Sequence, residues 1–126
     1  MKGTLVGFGI VASILALSIL TTKTTQNFCN EIEQCITKSN DYIKNENWID
    51  SGIQIENAKR IYNDKESILR TFLNHEYLND ISCALSNLEA AINLKSIELF
   101  IPESNKLYAT LNTISASDIP SIENIF

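Results

Sequence analysis

Hydrophobic and polar positions divide the chain into two unlike parts. From Leu5 to Leu20 the sequence LVGFGIVASILALSIL carries no charge, and no charged residue lies between Lys2 and Lys23. With Thr4, Thr21 and Thr22 this stretch is about 19 residues, roughly 28 Å of helix, close to the hydrocarbon thickness of a bilayer. Its polar residues, Ser13 and Ser18, can bond back to the helix backbone, so no face is left for water. The pattern predicts a membrane helix or a signal peptide that is later removed. A cleavable signal needs a basic start, a short apolar centre and a small-residue exit. Here the start is only Met1-Lys2, and Ile19-Leu20 continue the apolar run beyond Ala16-Leu17-Ser18. No cysteine directly follows, which argues against a lipoprotein signal. An uncleaved anchor is the favoured reading and a cleaved signal the alternative. Lys2 on one side, against Lys23 followed by Glu31 and Glu33 on the other, gives a slight bias toward a cytoplasmic N-terminus and an extracytoplasmic C-terminal domain.

Beyond Lys23 the period changes from continuous to helical. Phe28, Ile32, Cys35, Ile36, Ser39 and Tyr42–Ile43 recur at steps of three and four. No Pro or Gly interrupts Gly9 to Asn47, so one long helix is expected to leave the membrane directly. Lys44-Asn45-Glu46-Asn47 is the first break, with Asn47 as N-cap and Asp50 in the first turn. A second helix is expected from Trp48 to about Phe72, with the stripe Trp48, Gly52, Ile55, Ala58, Tyr62, Lys65, Leu69, Phe72. Lys65 interrupts it, and its stem can lie along apolar surface. Trp48 reads as a core aromatic in preference to a partner-binding anchor.

Asn74-His75-Glu76 is the second break, again with Asn as cap. Leu78, Ile81, Leu85, Leu88 and Ile92 then step by 3, 4, 3, 4, the spacing of a helix packed nearly parallel to its neighbours. The next boundary is ambiguous. A fourth helix capped by Ser96 would hold Pro102 inside it and lose a hydrogen bond there. Alternatively Pro102 sits in the first turn of a helix that starts later. A break at Leu94–Ser96, with Pro102 kinking or restarting the chain, is preferred. Leu107, Leu111 and Ile114 form the last stripe, Ser115 to Pro120 ends it, and the apolar tail Ile122–Phe126 frays or docks between helices. Nothing outside the anchor alternates with period two. The fold class is therefore all-α: an N-terminal transmembrane helix continuing into a small antiparallel three- to four-helix bundle. Residues 1–23 are the anchor or signal peptide, and 24–126 a helical domain.

Charge narrows the partners. From Lys23 onward there are nine basic and fifteen acidic residues, a net charge of −6. No basic patch forms, so nucleic acid is disfavoured, as is an anionic lipid surface. The expected lipid contact is the bilayer itself, through Leu5–Leu20. Scarce Gly and Pro argue against a loop-rich or all-β domain.

Candidate chemistry is thin. His75 with Glu76 is the one pair suited to acid–base work, but a histidine at a helix start usually faces water and an early glutamate complements the dipole. Cys29, Cys35 and Cys83 are odd in number, so they cannot all pair within one chain. Cys29 and Cys35 would be about 9 Å apart along a helix, too far for a disulfide. The ordinary reading is three small half-buried apolar residues, and the alternative a Cys35–Cys83 or intermolecular bridge. No metal spacing, nucleophile motif or glycine-rich phosphate loop is present, so no catalytic, cofactor or metal residue is assigned and no small-molecule substrate is evident. Gly3-x-x-x-Gly7 and Ala12-x-x-x-Ala16 give the anchor small faces on which two copies can pack.

An apolar N-terminal segment, the Asn47-Trp48 helix start, Ala58 further along, His75-Glu76 ahead of Ile81–Leu85–Leu88, and the ending Ser121-Ile122-Glu123-Asn124-Ile125-Phe126 follow one another in order. In this the chain resembles domain-of-unknown-function family 4363 over nearly its whole length. The resemblance implies a small membrane-anchored helical protein of spore-forming and related Gram-positive bacteria, with no catalytic residue. Pro102 departs from the uninterrupted last helix the family leads one to expect. The function expected is that of a non-enzymatic interaction module or an envelope or sporulation assembly component in the cell membrane, with a protein partner or a second copy. The alternatives are a secreted helical binding protein and an enzyme using His75 and Glu76.

Overall fold

A computed structural model describes residues 2–71 and 73–117. Four helices follow in order: α1 (Lys2–Lys44), α2 (Trp48–Leu69), α3 (His75–Asn93) and α4 (Ile97–Ser117). Each packs on its neighbours in sequence, and α4 closes back on α1. The result is an up-down-up-down antiparallel ring of the kind short loops favour. There is no strand among the described residues. The Phe72 and Ile122–Phe126 positions lie outside the described residues.

The unbroken α1 follows from the absence of Pro and of interior breaks. Its 43 residues correspond to about 64 Å of helix at 1.5 Å per residue. The two ends of this helix are unlike. The large apolar side chains from Leu5 to Leu20 are exposed, whereas burial begins at Thr25 and continues through Phe28, Cys29, Ile32, Cys35, Ile36, Ser39 and Ile43. So the first half projects beyond the bundle, and the second half is one of its four staves.

The two loops at the far end of the bundle share one device. Asn47 N–H donates to Tyr42 C=O at 2.8 Å and Glu46 N–H to Ile43 C=O at 3.0 Å, the paired bonds of a Schellman cap. Ser96 N–H to Ala91 C=O at 2.9 Å and Lys95 N–H to Ile92 C=O at 3.0 Å repeat it. The left-handed residue is a glutamate in one and a lysine in the other, with φ of 57° and 51°. Helices α2 and α3 start under a side-chain cap: Asn47 Oδ1 accepts from Asp50 N–H at 3.2 Å, and Asn74 Oδ1 from Glu76 N–H at 3.1 Å.

One boundary and the reading of Pro102 differ from the sequence expectation, while the break at Leu94–Ser96 falls where it is expected. Helix α2 closes at Leu69, where Arg70 serves as C-cap, three residues before Phe72. Pro102 neither restarts nor ends a helix: α4 begins at Ile97, Ser96 Oγ accepts from Leu99 N–H at 3.3 Å, and Pro102 lies inside. The missing Pro102 N–H strips a partner only from Glu98 C=O, in the first turn, where Glu98 is exposed and water can replace it. Phe100, Leu107, Leu111 and Ile114 are all buried and hold α4 to its neighbours on both sides of the proline.

The core is the sum of four stripes, among them Leu78, Ile81, Leu85 and Leu88 from α3. Each such side chain contributes roughly 1.5–3 kcal/mol on burial. Leu88→Ala should lower unfolding free energy by about 2–5 kcal/mol, read by denaturant titration of helical circular dichroism. Lys95→Gly should raise it by about 0.5–1 kcal/mol, because glycine removes the left-handed strain.

Candidate functional site

His75 and Glu76 form the first turn of α3, and both side chains are exposed. Glu76 takes its cap from Asn74 and stands where negative charge complements the helix dipole. Cys83 is exposed but two turns further along α3, about 12 Å by helix rise. Among the described residues, no group of three His, Cys, Asp or Glu side chains could hold a metal ion.

The polar chemistry of the fold lies between helices instead. Ser39 and Ser51 face each other across α1 and α2, both fully buried, with hydroxyls 2.6 Å apart. Each hydroxyl also reaches the other residue's carbonyl at 3.1 Å. Two serines at facing seam positions let the backbones approach and pair their polar atoms without water. Between α1 and α4, Asn40 Nδ2 donates to Ser104 Oγ at 2.9 Å and Tyr108 OH at 3.2 Å, while Ser104 Oγ donates to Asn40 Oδ1 at 3.1 Å. Thr37 Oγ1 extends the group to Tyr108 OH at 2.8 Å. Lys59 bridges to Glu89 between α2 and α3. Sequence periodicity included Ser39 in a stripe but passed over Ser51, Asn40, Ser104 and Tyr108. The signal for Ser104 was its place in Phe100, Ser104, Leu107, Leu111, Ile114, which steps by 4, 3, 4, 3.

The cysteines separate into two environments. Cys29 and Cys35 are buried on α1, as small apolar residues are. Burial pushes the Cys35 thiol up; Lys38 opposes this and Glu31 adds to it. Cys83, expected to be half-buried, is exposed on the outer side of α3, because Ala84 and Leu85 beside it take the inward positions. A Cys35–Cys83 bridge is not formed. Tyr62 is buried against Phe28, with ring centroids 6.5 Å apart, and donates to Leu78 C=O at 3.2 Å. Its phenol is likewise pushed up by burial, then by Glu66. Trp48 packs partly buried against the core, as the sequence pattern predicts.

The profile of the family described as Domain of unknown function (DUF4363) matches residues 19–125. The chain belongs to that family. Its matched region takes in the whole four-helix ring and begins within α1, so most of the exposed apolar stretch lies ahead of the DUF4363 domain. No curated protein and no solved structure matches the chain.

Two measurements check the interior. Under native conditions a maleimide should modify Cys83 alone, with Cys29 and Cys35 labelled only on unfolding, read by intact mass. Ser39→Ala and Ser51→Ala should each lower stability by about 1 kcal/mol, and the double variant by less than their sum, because each single change leaves a buried group without its partner.

Proposed function

We propose that this DUF4363 protein is a single-pass, membrane-tethered module that acts by binding protein and not by catalysis, with its bundle on the extracytoplasmic side. The observation that carries the reading is the first part of α1. It is long and apolar enough to cross a membrane, and none of its most apolar 18-residue window is buried in the fold. A soluble protein exposing so large an apolar surface would aggregate or find a partner, whereas a bilayer covers it on all sides. Glycine positions support this. A Cβ at Gly3, Gly7 or Gly9 would meet nothing within 4 Å, so no intramolecular contact calls for those residues. For His75 and Glu76, exposure on the α3 start favours the capping and solvent roles over acid–base catalysis.

Alkaline carbonate extraction tests the tether. The full chain should stay in the membrane pellet. Ile14→Lys with Leu15→Lys should release it or block its insertion, since each lysine costs about 2.5–3.5 kcal/mol at the helix centre. A wild-type chain recovered in the supernatant, or a mature chain whose mass begins after Ser18, overturns the reading. Crosslinking in intact membranes tests the binding half: a chain that joins to no protein, itself included, overturns it.

A further inference from the structure

Outside the first part of α1, the large exposed apolar side chains lie at the far end of the bundle, with one exception. Ile49 and Ile53 on α2, Leu94 after α3, and Ile97, Leu99 and Ile101 on α4 are all there. Ile68 is at the opposite end, in the last turn of α2, and is 50% exposed.

Two facing pairs fix the height of that turn against α1. Ser39 meets Ser51 with hydroxyls 2.6 Å apart, and Phe28 meets Tyr62 with ring centroids at 6.5 Å. From 28 to 39 on α1 and from 51 to 62 on α2 the chain advances by the same eleven residues. The two antiparallel helices therefore keep one register over this length, since each residue rises equally. Carried six residues further, from 62 to 68, that register sets Ile68 level with Thr22 and Arg70 level with Leu20, the last residue of the apolar run. Burial along α1 agrees. Ser18, Thr21 and Thr22 are half-buried, on the side that the register gives to the end of α2, while Leu17, Ile19 and Leu20 stay exposed.

We propose that the last turn of α2 rests in the headgroup layer of the bilayer that α1 crosses, with Ile68 at the boundary of the hydrocarbon, as a second lipid-contacting surface beside the span. The inference rests on the tether proposed above, which makes Leu20 the end of the span. Thr22, and with it Ile68, then stands about 3 Å beyond that end by helix rise. Interfacial helices bury their apolar side chains at this headgroup–acyl boundary. The polar groups of the turn suit the same place. Arg70 reaches back to Glu66, one turn farther from the hydrocarbon, with Nε donating to Oε1 at 2.8 Å, so its charge is paired and drawn toward water. Thr71 Oγ1 donates to Ile68 C=O, as Thr21 and Thr22 on α1 donate to carbonyls of their own helix. Lys23, Lys65 and Arg70 are matched in number by Asp64, Glu66 and Glu76, so the contact draws on apolar depth and not on anionic headgroups. A second contact off the axis of α1 sets the tilt of the bundle on the membrane.

The test uses the full chain with Cys83→Ser, so that one added thiol is labelled while Cys29 and Cys35 are buried. Ile68→Cys, Ile53→Cys and Leu17→Cys each receive an environment-sensitive maleimide fluorophore. Each is reconstituted into phosphatidylcholine vesicles whose lipid carries a nitroxide high on the acyl chain. Ile53 matches Ile68 in exposure, at 50%, but lies at the far end of the bundle. The label at position 68 should be quenched about threefold more strongly than the label at 53, with its emission shifted to the blue. Quenching at 68 no greater than at 53, with the label at 17 quenched, overturns the contact alone. An unquenched label at 17 overturns the tether and the contact with it.

Discussion

One helix has to satisfy two surroundings, and the rest of the molecule depends on how it does so. The first part of α1 is apolar on every side, while from Thr25 onward only the inward stripe is. The change happens within a single hydrogen-bonded rod. Threonines mark the transition: Thr21 and Thr22 donate to Leu17 and Ser18 carbonyls at 2.7 and 2.9 Å, so their hydroxyls need nothing from outside the helix. Thr25, one turn on, is buried at the mouth of the bundle, and its Oγ1 has no hydrogen-bond partner among the described residues.

Because α1 supplies one stave of the ring, its register governs the other three. Registration is fixed by polar pairs and not by apolar packing alone, since Leu and Ile stripes tolerate sliding by a turn. Ser39 against Ser51 sets α2 on α1, and Asn40 with Ser104 and Tyr108 sets α4 on α1. A slip of one turn would bury those groups without partners, at roughly 1–3 kcal/mol each. Polar residues at seam positions serve this purpose in coiled coils. Here they do it at the two interfaces that involve the long helix.

The architecture was legible in the sequence because the signals were local. Leu78–Ile81–Leu85–Leu88 declares a buried face by spacing alone, and Asn47 and Asn74 declare helix starts by their caps. What was not legible depended on neighbours far along the chain. Pro102 reads as a breaker, yet α4 passes through it, because Phe100 and Leu107 are anchored in a core built by other helices. Ser51 and Ser104 were passed over, because their role depends on the residue that faces each of them. Cys83 reads as half-buried from its type, and its exposure is decided by which side of α3 the ring covers. The far-end loops escaped a glycine-based reading for a similar reason: Glu46 and Lys95 are held left-handed by paired carbonyl bonds that residue type does not announce.

A continuous α1 also limits what the bundle can do. A domain on a flexible linker samples many heights and tilts, and a contact of a few residues is diluted among them. Under the proposed tether, a domain continuous with the anchoring helix keeps one height above the bilayer and retains mainly rotation about that axis. Apart from Ile68, the exposed large apolar side chains lie on the projecting part of α1 and at the far end of the ring. The sides between are polar, with Glu33, Lys38, Asp41 and Asp64 in solvent. Under the proposed tether, a continuous helix holds that far end at one height, where a flexible linker would spread it over many.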